Sequence, residues 1–176
     1  MTNKGDCIMK KMFLAKDTEG EKLVEKVLIS KGGIYIDEKN IPRDDAKFTY
    51  SKQWTLYTSG NDDRSALKCD FAVFLEEYIA FIEYDGEFHF RILSPNENGF
   101  LKLSQQYSRD LDKNSYCEEN KHPLLRIKYD QQCLIEELVD ELLINPEKYI
   151  KNHNPQWETY YEETEISIKE YRNRKH

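Results

Sequence analysis

The chain has 176 residues, of which 39% are hydrophobic and 12% aromatic, which is enough for one domain with an apolar core. Its apolar runs stop short of the roughly 20 residues that a membrane-spanning helix needs, and no apolar signal segment follows the first residues, so we expect a cytoplasmic protein with no membrane partner. The net charge of −7 disfavours nucleic-acid binding without excluding it, because bound cations neutralise the acids of a metal site.

The first third of the chain predicts a helix followed by a strand. Thr18-Glu19-Gly20-Glu21 matches the Ser/Thr-x-x-Glu capping box, and apolar residues then recur at helical spacing until Gly32-Gly33. Residues 34–36 are β-branched and aromatic and predict a short strand. Residues 46–54 are ambiguous, and the polar residues 58–64 predict a loop.

The middle of the chain predicts a hairpin. Residues 67–74 and 78–84 are strands buried on both faces, with a turn near Glu76-Glu77. Three further elements follow: a polar helix over 101–120, a strand over 124–129 and an amphipathic helix over 134–144. We therefore expect an α/β (α+β) domain over 1–146. The charged and aromatic residues 147–176 predict either a packed helical appendage or a partly disordered tail.

Each strand of the predicted hairpin carries an acid where a buried strand is expected to be apolar. Asp70 follows Lys68 and Cys69, and Glu83 lies within the apolar run of the second strand. Ionised carboxylates are almost never fully buried unless they are paired or bind a metal. A tight hairpin places the two acids side by side, which predicts a divalent-cation site. The alternative is that both are strand-end residues that accept hydrogen bonds from neighbouring backbone amides.

Five motifs in register, together with the order of the elements, resemble the PD-(D/E)XK nuclease superfamily. The resemblance is sharper to the very short patch repair endonucleases and the EDxHD homing endonucleases of phages and bacteria. The motifs span about residues 18–130: Thr18-Glu19-Gly20-Glu21, Lys68-Cys69-Asp70-Phe71, residues 82–89, Arg109-Asp110, and residues 124–129. The resemblance implies a restriction-endonuclease-like core, with a mixed sheet of about four strands flanked by helices in the order αβββαβ.

The resemblance also implies a function and a site. The function is that of a DNA endonuclease, of the nicking or homing type, which uses Mg²⁺ or Mn²⁺ to hydrolyse double-stranded DNA, with a homodimer or a protein partner as a source of specificity. The implied catalytic residues are Glu21, Asp70, Glu83, His89, Asp110 and Lys113, and the implied metal ligands are Asp70, Glu83, Glu21 and Asp85. Glu21 has a simpler reading as the last residue of the capping box.

One departure from the superfamily pattern concerns the lysine expected two residues after Glu83, where this chain has Asp85. In the EDxHD-like branch a histidine shortly after the strand takes over, and His89 occupies that place. An imidazole can accept a proton from water or donate one to a leaving oxygen. Asp110 is then a further metal ligand or a histidine-orienting acid, and Lys113 is a second candidate for the displaced lysine. Asp85 either joins the metal shell or caps the turn that follows it.

Two other functions remain open from the sequence: a catalytically silent nuclease-fold module that binds nucleic acid, and an acidic phage-encoded inhibitor of a host protein. The presence of Glu21, Asp70, Glu83, His89 and Asp110 together disfavours both, because neither function needs all five. Some remaining side chains have weaker expectations. Gln105 and Gln106 are candidate phosphate contacts, whereas Tyr84, Phe88 and Tyr107 are expected in the core.

Overall fold

The computed structural model describes residues 18–36, 46–56, 67–94, 96–150 and 159–174. Within these ranges the chain forms the following helices and strands, in order: α1 Thr18–Ser30, β1 Gly33–Tyr35, β2 Phe48–Leu56, β3 Leu67–Phe74, β4 Ile79–Asp85, α2 Glu97–Glu119, β5 Leu124–Lys128, α3 Ile135–Ile144 and α4 Glu162–Arg174. The short 3₁₀ turn Glu87–His89 follows β4. The loop predicted over 58–64 lies outside the described residues.

The five strands form one mixed sheet in the order β1-β2-β3-β4-β5. The pairs β2–β3 and β3–β4 are antiparallel, and the pairs β1–β2 and β4–β5 are parallel. The predicted α+β class is confirmed, with one strand more than the expected four. The additional strand is β2, which lies in the region whose sequence is ambiguous because the polar run 51–53 interrupts its apolar pattern.

Helices cover both faces of the sheet, so the strands of the predicted hairpin are buried on two sides. Helices α1 and α3 pack on one face, and α2 packs on the other. The larger core, on the α1 and α3 side, contains Val24, Leu28, Phe71, Val73, Ile82, Leu125, Ile127, Val139 and Leu142. The smaller core, on the α2 side, contains Leu56, Cys69, Ala72, Phe81, Cys117 and Leu124. Because its apolar part is small, the α2 side leaves room for the polar residues described below.

One helix start differs from its prediction. Helix α1 is described from Thr18 onward, the first residue that the structure describes, so the capping role of Thr18 stays a prediction. Helix α2 begins at Glu97 and not near residue 101, because the Asn96 side chain caps it by accepting a hydrogen bond from the backbone N–H of Gly99 at 2.9 Å. An Asn cap followed by polar residues is a weak signal when the first helical turn lacks apolar positions.

The C-terminal segment, which we define as residues 159–174, consists of a turn and helix α4, and α4 packs against α2. Thr164 and Ile168 are its buried positions. Of the two possibilities for the chain end, a packed helical appendage is therefore what these residues form. In the part of the chain that the structure describes, no helix combines the length and apolarity that crossing a bilayer requires.

Gly20 sets the distance between α1 and the sheet. A Cβ atom at this position would lie 2.1 Å from Cε1 of Tyr84 on β4. Tyr84 cannot move away freely, because its hydroxyl accepts a hydrogen bond from Gln132 Nε2 at 2.6 Å and its ring belongs to the larger core. The missing side chain thus brings the first turn of α1, and with it Glu21, against the end of β4.

We expect Gly20→Ala to destabilise the protein. Alanine is the better helix former by about 1 kcal/mol, but overpacking against Tyr84 typically costs about 1–3 kcal/mol. Urea unfolding measures the difference, with Glu19→Ala at the exposed neighbouring position as the control for the helix propensity of alanine. A Gly20→Ala protein as stable as the Glu19→Ala protein would mean that α1 does not depend on this contact.

Candidate active site

The strands β3 and β4 separate where their two acids lie. The last backbone pair between them is Phe71 with Ile82, so Asp70 and Glu83 are the next residues beyond the ladder. Their carboxylates occupy the gap: Glu83 Oε1 accepts from the Asp70 backbone N–H at 3.1 Å, and Asp70 Oδ2 accepts from the Tyr84 backbone N–H at 2.9 Å. The two acids are therefore neighbours, as predicted, and each also makes the backbone contact that the alternative reading expected.

Burial and mutual repulsion make the ionised forms of these acids unfavourable. Burial raises the pKa of Asp70 to about 6, with the nearby charge of Glu21 adding to the effect and the Tyr84 N–H opposing it. Burial and the Asp70 charge together raise the pKa of Glu83 to about 7, against the attraction of Lys113. Two such carboxyls in contact indicate a site that lacks part of its positive charge.

Lys113 supplies part of that positive charge from helix α2. Its Nζ lies 2.6 Å from Glu83 Oε2, and both side chains are buried. Burial lowers the pKa of Lys113, but Glu83 more than offsets this and leaves the pKa above its ordinary value. An acid and a lysine three residues apart on a helix, as Asp110 and Lys113 are, ordinarily form a surface ion pair. Instead, both residues turn inward and bind different partners on the sheet side.

His89 is held by two acids through one ring nitrogen. Its Nδ1 lies 2.8 Å from Asp110 Oδ2 and 3.3 Å from Asp85 Oδ1, and the side chain is buried. Gln106 donates to Asp110 Oδ1 at 3.2 Å and thereby supports the same acid. The contact between His89 Nδ1 and Asp110 fits the histidine-orienting role expected for Asp110. It leaves Nε2 as the ring nitrogen that can act on another molecule. Burial lowers the pKa of His89, but Asp110 and Asp85 raise it above its ordinary value.

Arg126 on β5 is the charged residue of this region to which the sequence analysis assigned no role. Its guanidinium is fully buried and binds Asp85 through Nη1, at 2.8 and 2.6 Å from the two carboxylate oxygens. Nη2 lies 3.2 Å from Asp110 Oδ1, and Nε donates to Asn114 Oδ1 at 3.0 Å. The available signal was a single arginine inside an apolar strand, since such a charge needs a buried acid as its partner.

Asp85 therefore has a different environment from the one predicted for a metal ligand. Besides Arg126, it accepts a hydrogen bond from the Tyr160 hydroxyl at 2.7 Å. Asp85, His89 and Asp110 bring ligand atoms within 4.8 Å of one another, so these three residues could hold a metal ion. A cation already lies among them, because Arg126 binds both carboxylates. In charge, the pair of Asp70 and Glu83 is the better match to an added divalent ion.

The remaining predicted residues lie at different depths. Glu21 is partly buried near Asp70, whose pKa it raises, and Gln105 is exposed. Tyr84 belongs to the core as expected. Phe88 does not belong to the core: the residue is 37% exposed, and its ring lies beside that of His89, at 4.5 Å between ring centroids. Tyr107 is partly buried and donates to Glu165 of α4 at 3.0 Å.

Comparisons of this chain with protein-family models, with curated proteins and with solved structures returned no significant match. The resemblance to the PD-(D/E)XK nucleases therefore rests on the five sequence motifs. The architecture and the site geometry bear on function independently of any relative.

We predict that the metal-free protein loses stability as the pH rises from about 4 to about 7. The pKa values of Asp70 and Glu83 in the folded protein lie above the ordinary values of 3.8 and 4.5, so in this range the folded state keeps protons that the unfolded state has lost. Each pH unit between folded and ordinary pKa corresponds to about 1.4 kcal/mol. Urea unfolding in EDTA across this range measures the slope.

Asp70→Asn should flatten that slope, because the amide does not titrate. Glu76→Gln, at an exposed acid in the turn of the same hairpin, is the matched control and should keep the wild-type slope. Equal slopes in wild type and Asp70→Asn would show that folding does not raise the pKa of the Asp70 carboxyl.

Proposed function

We propose that this protein is a metal-dependent endonuclease that hydrolyses phosphodiester bonds of double-stranded DNA. The observation that carries the proposal is the contact between Asp70 and Glu83 at the point where β3 and β4 separate. The Lys113 ammonium binds Glu83, and His89 is held by Asp110, three residues before Lys113 on α2. The described elements follow the order αββββαβ, which is the expected αβββαβ with the additional strand β2, and this order supports the same assignment.

The donor atoms at Asp70 and Glu83 fit Mg²⁺ or Mn²⁺. Both ions favour hard carboxylate oxygens, and Mg²⁺ keeps several waters, so two or three acids are sufficient. Each carboxylate accepts one backbone N–H, which leaves lone pairs on both, and Glu21 lies near enough to Asp70 to act on its charge. When bound, the ion supplies Lewis-acid stabilisation of the phosphate charge and a more acidic water.

The two cationic groups of the site have different tasks. Because its pKa is raised, Lys113 stays protonated and serves as a hydrogen-bond donor and positive charge toward a phosphate oxygen. His89, with Nδ1 held by Asp110, exchanges a proton through Nε2. Its raised pKa favours the protonated ring, so we assign it the donation of a proton to the leaving oxygen. Lys113 and His89 together replace the lysine that Asp85 displaces.

Supercoiled plasmid incubated with the purified protein tests the activity. We expect nicked or linear DNA with Mg²⁺ or Mn²⁺ and none in EDTA. Asp70→Asn and Glu83→Gln should abolish cleavage and weaken Mn²⁺ binding in calorimetric titration, because each removes a negatively charged ligand. Glu76→Gln is the control for the loss of one acid from the hairpin and should cut normally. Cleavage by Asp70→Asn at the wild-type rate, or an unchanged Mn²⁺ isotherm, would exclude this site.

His89→Ala should cut about 10² to 10⁴ times more slowly than wild type, the range that general acid–base catalysis contributes. Binding of Mn²⁺ should remain, because His89 is not among the proposed ligands. The control is His122→Ala, which removes an imidazole that packs on Phe81 and Tyr116 away from this cluster. If His89→Ala cuts at close to the wild-type rate, Lys113 alone carries the displaced function, and Lys113→Ala becomes the variant that should lose activity.

One observation favours a second candidate, a nuclease-fold module that binds DNA without cutting it. The ion pair of Lys113 with Glu83 neutralises one of the two central acids without a metal. In that case the protein should shift the mobility of a DNA duplex in EDTA and leave the plasmid intact with either metal. The same two assays therefore separate the candidates.

A further inference from the structure

The C-terminal segment makes hydrogen bonds to atoms at and beside His89. The Tyr160 hydroxyl donates to Asp85 Oδ2 at 2.7 Å, and the Thr164 hydroxyl donates to the backbone carbonyl of His89 at 3.0 Å. The Ser167 hydroxyl donates to the next carbonyl, that of Phe90, at 3.1 Å. Apolar packing alone does not require these contacts. They tie a segment outside all five sequence motifs to the proposed proton-transfer group.

Ionic contacts of Glu163 strengthen the same attachment. One carboxylate oxygen binds Arg91 Nε, and the other lies 2.7 Å from Lys128 Nζ. Arg91 follows the 3₁₀ turn that carries His89, and Lys128 ends strand β5. Glu163 thus joins the chain after His89 to the edge of the sheet. The segment therefore contacts the chain on both sides of His89, at Asp85 before it and at Arg91 after it.

The turn that carries His89 needs such support. It has only three residues, Glu87–His89, and its preceding residue Gly86 supplies no side-chain cap. Short 3₁₀ turns have poor hydrogen-bond geometry and do not hold a side chain in one orientation by themselves. The Thr164 hydroxyl is fully buried, so it has no alternative partner in water. Burial and the charge of Asp85 raise the pKa of Tyr160 well above its ordinary value, which keeps its hydroxyl a donor.

We propose that Tyr160 and Thr164 are positioning residues that hold His89 in its working orientation, Thr164 through the backbone and Tyr160 through Asp85. The C-terminal segment is then part of the active site and not an appendage to it. The kinetic consequence rests on the endonuclease function proposed above. The structural consequence, a change at the His89 ring, does not depend on that function.

Four variants test the proposal in the full-length protein. Tyr160→Phe and Thr164→Val remove one hydroxyl each and keep the volume of the side chain. Thr164→Ser keeps the hydroxyl and should behave as wild type. Tyr107→Phe is the matched control, because it removes a tyrosine–carboxylate hydrogen bond between α2 and α4 that does not involve His89 or Asp85.

In plasmid cleavage we expect Tyr160→Phe and Thr164→Val to lower kcat at least about tenfold with KM within about twofold, since misplacement of a catalytic group by about 1 Å can cost up to about 10² in rate. In the metal-free protein, the imidazole ¹⁵N signals of His89, identified by their loss in His89→Gln, should shift in both variants. Neither readout should change in Tyr107→Phe or Thr164→Ser.

The proposal is overturned if the His89 signals of Tyr160→Phe and Thr164→Val match those of Tyr107→Phe. A lowered kcat with unchanged imidazole signals overturns it too, because the effect would then not pass through His89. Shifted signals with an unchanged kcat refute the role in the reaction. If wild type cuts no DNA, the endonuclease function fails, and the imidazole signals alone decide whether the segment positions His89.

Discussion

The ion pairs of the buried Arg126 guanidinium are the interactions on which the buried polar cluster of Asp85, His89 and Asp110 depends. The guanidinium binds Asp85 and Asp110, two carboxylates that are almost completely buried. Removal of one partner from such a buried network typically costs about 3–5 kcal/mol, because an uncompensated charge is left behind. With Arg126 in place, Asp110 remains ionised and can hold His89. The position of the histidine is therefore a consequence of a charge on β5.

The site contains acids in two opposite states, and this difference favours Asp70 and Glu83 as the ligands of the proposed metal ion. Burial alone would raise the pKa of Asp110, but Arg126 and His89 hold it at about 2. Burial shifts the pKa values of Asp70 and Glu83 in the opposite direction, and the acids repel each other. Lys113 contacts Glu83, and its one positive charge does not balance two acids. A divalent cation bound at Asp70 and Glu83 would supply the missing charge. Placed beside Arg126, the same cation would be repelled.

Sequence reasoning found what depends on local pattern and missed what depends on pairing between distant strands. The strands around Asp70 and Glu83 were predicted almost to the residue, because long apolar runs and one tight turn define them. Strand β2 was missed because its polar centre hides the pattern. Arg126 received no role. A lone arginine in an apolar strand predicts a buried acidic partner, but which acids these are depends on the parallel pairing of β5 with β4 and on the packing of α2, which no local pattern encodes. The two readings of Asp70 could not be separated either, because a carboxylate beside a diverging strand can satisfy both.

The C-terminal segment shows why a site of this kind requires the whole fold. Glu21 comes from α1, Asp70 and Glu83 from two strands, Lys113 and Asp110 from α2, and Arg126 from β5. His89 is the exception, because it lies on a three-residue 3₁₀ turn and not on a helix or strand. A side chain that transfers protons must stay within a fraction of an ångström of its working position. In this protein the Thr164 hydroxyl donates to the backbone of that turn, and the Tyr160 hydroxyl donates to Asp85 just before it. The role proposed for the C-terminal segment is to supply the rigidity that a three-residue turn lacks.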